Sequence, residues 1–219
     1  MDRDQRLARY GAVATRLALL SDNQLAALLE AVEAAAAGIG GTTGSLRVDG
    51  VPVFVKQVPL TDLERRPEHQ RSTANLFRLP TFYQYGIGSA GFGAWRELAA
   101  HLMTTNWVLG NHCQNFPILY HWRVLPRAPQ PTTPETLAQR EAAVAHWEGS
   151  SAVRERLAAL DHADHSVVLL MEHVPQTVDT WLHARVAAGG RAAASAYAMV
   201  ERDLQAGAAF MNSRGLLHF

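Results

Sequence analysis

The chain has 219 residues, is 48% hydrophobic, and carries 20 Lys plus Arg against 20 Asp plus Glu, a formal net charge of zero. That apolar share excludes global disorder, and the length allows one large domain or two small ones. The balanced charge argues against a nucleic-acid or acidic-surface binder. The single cysteine, Cys113, excludes an internal disulfide. With no signal-type apolar core at the N-terminus and no run of roughly 18 apolar residues, a soluble cytoplasmic protein without a membrane span is expected.

Residues 5–20 carry a helix-compatible pattern, and Ser21-Asp22-Asn23-Gln24 has the hydroxyl-to-Gln spacing of a capping box. The Ala-rich run Leu25 to Val32 continues with helical spacing until Gly38 to Gly44 ends it. Residues 1–37 are therefore expected to form a helical extension with a packing role. A hairpin follows. Ser45 to Val48 alternates, Asp49-Gly50 is a strong two-residue turn signal, and Val51 to Val58 is β-branched and aromatic with Pro52 at its start.

Residues 59–93 are loop-like, rich in charge, aromatics and Gly, including the tract Tyr85 to Gly93. A helix over 94–103, a strand over 116–125, a Pro- and Thr-rich surface loop over 126–136 and helix over 137–160 come next. Ser166 to Met171 is a buried strand that Val174-Pro175 interrupts. A short helix spans Val178 to Val186, and a long Ala-rich helix spans 192–212, closed by Arg214-Gly215. No internal repeat is visible.

Lys56 stands out because it is the only lysine in a chain whose other side-chain cations are all Arg. It ends the apolar run Val53-Phe54-Val55 on the strand after the hairpin. A compact ammonium there suits phosphate, where the planar fork of Arg is no substitute. Glu97 lies early in an apolar-faced helix, whereas Glu64 and Glu68 lie in the polar segment beside Pro67. Gly38, Gly40 and Gly41 could let backbone N–H groups approach phosphates, or could simply form a helix-to-strand joint. His101, His112, His121, His162 and His165 are scattered and there is no HExxH or Cys cluster, so no metal site is assigned. The tryptophans read as core or interface anchors, and no Gly-x-Ser-x-Gly elbow supports a hydrolase.

Taken together, the Gly-rich turn, the hairpin, Val53-Phe54-Val55-Lys56, the helix with Glu97, the passage Val168 to Val174 and the end Asn212-Ser213-Arg214-Gly215-Leu216-Leu217-His218-Phe219 resemble the protein-kinase family, in its bacterial serine/threonine form. The resemblance covers residues 38–219. It implies an α+β fold: a small lobe of antiparallel sheet plus helix over 38–174, with insertions at 59–93 and 127–164, and the start of a helical large lobe over 175–219. Gly38 and Gly40 match the first two positions of G-x-G-x-x-G, Thr43 takes the third, and Gly44 comes one residue late.

The resemblance further implies ATP and Mg2+ as cofactors and transfer of the γ-phosphoryl to a Ser or Thr hydroxyl in the intact parent. Lys56 would clamp the phosphates, and Glu97, preferred over its competitors Glu64 and Glu68, would hold Lys56. Gly38, Gly40 and Gly41 would cover the nucleotide. Met171 would be the gatekeeper, and the backbones of Glu172 and Val174 would meet the adenine edge. The family's catalytic Asp, metal-binding Asn and D-F-G segment would follow Phe219, so these 219 residues are expected to show no phosphotransfer and to expose apolar surface on the last helix. Two other readings stay open: an aminoglycoside- or choline-type small-molecule phosphotransferase of the same fold, and a pseudokinase or interaction module.

Overall fold

The computed structural model describes residues 2–38, 41–129, 131–187 and 189–217, with backbone alone over 33–38. Gly40, His218 and Phe219, singled out above, lie outside the described residues. The fold is α+β, and the chain divides into two compact units, Met1–His173 and Val174–Phe219.

The first unit opens with α1 (Arg3–Ala18) and α2 (Asp22–Glu30). The capping box read at Ser21 is formed: the Ser21 hydroxyl accepts from the Gln24 N–H, and the Gln24 side chain accepts from the Ser21 N–H. The helical extension expected over 1–37 needs correction on one count. Helix α2 ends at Glu30, and Glu33–Gly38 is a strand, β1. Its Glu-Ala-Ala-Ala-Ala-Gly sequence favours helix by propensity, and pairing with β2 (Gly41–Val48) overrides that preference. The two helices do pack, as expected. Val13, Leu17 and Leu25 are buried in one cluster with Leu46, Val48, Val53, Val55, Val168 and Leu170.

Asp49 (φ 47°) and Gly50 (φ 80°) make the tight turn from β2 into β3 (Val51–Leu60). Among the described residues five strands form one antiparallel sheet in the order β1-β2-β3-β5-β4, with β4 at Leu119–Pro126 and β5 at His165–Glu172. Side chains alternate between its two faces, as a period of two requires. Val53 and Val55 of β3 and Val168 and Leu170 of β5 face the α1–α2 layer. Val58 and Leu60 of β3 and Val167, Leu169 and Met171 of β5 pack instead with Ala94, Trp95 and Leu98 of α5 (Ala94–Leu109). The sheet is thus covered by helix on both sides.

The expected insertions 59–93 and 127–164 are not independent loops. The first holds the short helices α3 (Asp62–Arg65) and α4 (Thr81–Gln84), and the second holds α6 (Pro134–His146) and α7 (Ser151–His162). The single helical stretch expected over 137–160 is broken at Glu148 and Gly149, both with positive φ. Phe77, Leu79 and Tyr83 from the first segment and Val153 from the second are buried together, with Trp147 edge-on to Tyr83 at 5.0 Å. The two insertions therefore share one satellite core.

The second unit consists of α8 (Val178–Ala187) and α9 (Gly190–Ser213). The Leu216 N–H donates to the Met211 carbonyl and Gly215 has positive φ, the helix ending read from Arg214-Gly215. Tyr197, Met199 and Leu204 of α9 are exposed. No helix among the described residues is long and apolar enough to cross a membrane.

Candidate functional site

Lys56 lies near the middle of β3, opposite Thr43 on β2 and Leu169 on β5. Opposed residues of an antiparallel pair share a face, so Lys56 projects on the side that carries α5. Helix α5 is anchored there through Trp95, whose indole N–H donates to the Glu64 carbonyl at 2.8 Å and whose ring meets Trp122 edge-on. Two residues on, Glu97 reaches back to the sheet. Its Oε1 lies 2.6 Å from Lys56 Nζ, and the two side chains are 11% and 21% exposed. Both side chains are thus largely withdrawn from water, the carboxylate more than the lysine. An ammonium held by one carboxylate oxygen, with donors left over, can take a second anion.

His101, one turn along α5, places Nε2 3.9 Å from the same oxygen. Burial pushes the Glu97 carboxyl up, but the His101 imidazole and the adjacent Lys56 ammonium outweigh it and leave the group below its ordinary value of 4.5. The linkage sign follows. A carboxyl depressed on folding stabilises the native state above its unfolded value and loses that contribution as pH falls through the folded one. Unfolding midpoints measured from pH 6 downward should therefore fall more steeply below about 4.5 in the wild type than in Glu97→Gln. Parallel profiles would contradict the pairing.

Gly38 lies at the end of β1 and Gly41 at the start of β2. Gly38 and Gly41 are register partners, and Gly41 lies beside Gln57, the neighbour of Lys56. A Cβ on Gly41 would come within 2.2 Å of the Gln57 carbonyl oxygen, and φ there is +154°. Close approach of β3 therefore already requires glycine at 41, whether or not a phosphate binds. Met171 is buried on the Lys56 face of the sheet, opposite Phe54 and Leu119. Glu172 projects to the other face: its N–H donates to the Ile118 carbonyl and its carboxylate is held by Arg6. Val174 begins the second unit and is exposed. The structure thus brings Lys56, Glu97 and Met171 onto one face and sets the Glu172 side chain on the other.

Neither rival partner reaches Lys56. Glu68 lies in a single 3-10 turn at Pro67–His69. Glu64 is buried and spent elsewhere: its Oε2 accepts from the Thr61 N–H and hydroxyl and from Arg156 Nη1 at 2.9 Å. Sequence reasoning passed over this second ion pair, although Thr61-Asp62-Leu63-Glu64 carries the capping-box spacing that marks a helix start. Arg156, 92 positions away, had no comparable signal.

No protein-family model matches the chain, and no curated protein matches it. Among the described residues no three His, Cys, Asp or Glu side chains converge to hold a metal ion. The Glu97 carboxylate beside Lys56 is already paired with it, so the described residues do not fit a magnesium site.

Proposed function

We propose that the chain is the nucleotide-binding part of a protein-kinase-like phosphotransferase that uses ATP and a Ser or Thr hydroxyl as acceptor. The observation that carries this reading is the 2.6 Å ion pair between Lys56, inside an antiparallel sheet, and Glu97, on the helix packed against it. Supporting it are the sheet order β1-β2-β3-β5-β4 and the place of Gly41 beside Gln57. ATP, when bound, supplies the phosphoryl group. Lys56 holds the nucleotide phosphates as a point charge, and Glu97 fixes where that charge sits. The paired ends of β1 and β2 bring backbone close to the phosphates, and the end of β5 presents the Glu172 carbonyl to the base, its N–H being bonded to the Ile118 carbonyl.

Titration calorimetry of the purified chain with ATP tests the reading. Saturable binding is expected, weakened about tenfold to a hundredfold by Lys56→Ala, the range for one lost charge-assisted contact. Absence of binding, or affinity indifferent to Lys56, would overturn it.

A further inference from the structure

We propose that Arg6, on α1, is a positioning residue for the base-recognition edge at the end of β5. This inference rests on the nucleotide reading above. Arg6 Nε donates to both Glu172 carboxylate oxygens, at 2.9 and 3.0 Å. Its Nη1 donates to the Gln114 carbonyl at 2.9 Å and to Gln114 Oε1 at 3.2 Å. Its Nη2 donates to the Phe116 carbonyl and to Glu172 Oε2. The Ile118 N–H donates to the same Oε2, and the Glu172 N–H returns a bond to the Ile118 carbonyl.

One guanidinium thus ties three stretches of chain together: the first helix, the lead into β4 and the last residue of β5. The two side chains are 15% and 11% exposed. A planar fork bonded on every nitrogen admits one orientation, so it fixes a direction as well as a distance. The residue it fixes, Glu172, is the one whose backbone carbonyl would meet the base, its N–H being taken by the Ile118 carbonyl. Lys56, which would hold the phosphates, stands on the other face of the sheet, bonded to α5. Base and phosphates therefore have separate supports. Disturbing Arg6 reaches the first and spares the second, whereas a general loss of stability would weaken both together.

The test compares ATP with inorganic tripolyphosphate, a ligand without a base, on the full chain. Arg6→Gln should weaken ATP binding at least tenfold and leave tripolyphosphate within twofold of wild type. Arg6→Lys, which keeps the charge and loses the fork, should show a smaller split of the same sign. Equal loss for both ligands, or no loss for either, overturns the inference. If Arg6→Gln does not fold, Arg6→Lys decides: at least a threefold loss confined to ATP supports the role, and any other result overturns it. A wild-type chain that fails to bind ATP removes the nucleotide reading itself, a result distinct from ATP binding that ignores Arg6.

Discussion

Arg156→Ala should destabilise the first unit by about 3–5 kcal/mol, because it strands a buried carboxylate. The Glu64 and Arg156 side chains are 6% and 3% exposed, so the pair is buried in the fold. The guanidinium also donates to the Ala90 carbonyl and lies over the Phe77 ring at 5.0 Å, so alanine removes packing as well as charge. Glu64→Gln should also be costly, since the amide can still cap Thr61 but leaves the Arg156 guanidinium buried without a counter-charge. In the double variant the penalty should be smaller than the sum of the single ones, the signature of a direct pair. Urea denaturation of the four proteins checks this. Additive losses would mean that the pair is not coupled. The loss also bears on the candidate site: Glu64 receives the Trp95 indole N–H through its carbonyl, and Trp95 is two residues from Glu97. Loosening of the segment should therefore appear as faster amide exchange in the first turns of α5, even where the sheet stays protected.

Leu17→Ala is the second large effect, expected at about 2–5 kcal/mol. Leu17 is 0% exposed and lies in the cluster that Val13, Leu25, Val53, Val55 and Leu170 share. If the N-terminal helices were a dispensable extension, the substitution would cost little and removal of residues 1–20 would leave a soluble, cooperative fold. The packing predicts the reverse. Without that layer, one face of the sheet loses its cover, and the shortened chain should aggregate or unfold non-cooperatively. A midpoint within the error of wild type for Leu17→Ala would show that the layer is not part of the core.

These two substitutions mark where sequence reading succeeds and where it stops. The Lys56–Glu97 contact was accessible through the family resemblance, to which each partner contributes a local pattern: a lysine closing an apolar β-run, and a glutamate on an amphipathic helix. The Asp49-Gly50 turn and the Ser21 capping box were legible without it, since their physics is confined to a few neighbouring residues. Strand β1 was not legible. Four consecutive alanines give no β signal, and only the partner strand supplies the bonds that make them one. Arg6 and Arg156 were equally silent. Arginine is the common cation of this chain, and nothing within several residues of either one indicates a carboxylate more than ninety positions away. The satellite core under the two expected insertions was missed because each was judged alone, and neither holds enough apolar surface to form a core by itself.

The pairing of β3 with β5 has a consequence for how the protein is made. Val53 meets Glu172 and Leu60 meets His165, so the central ladder of the sheet joins segments that leave the ribosome on the order of ten seconds apart. During that interval the hairpin of β2 and β3 has one side unpaired, with a row of free peptide groups able to template a neighbouring nascent chain. Loss through misassembly should thus concentrate in this window of synthesis. Slowing translation between β3 and β5 should lower the soluble yield of the protein without altering the stability of the molecules that do fold.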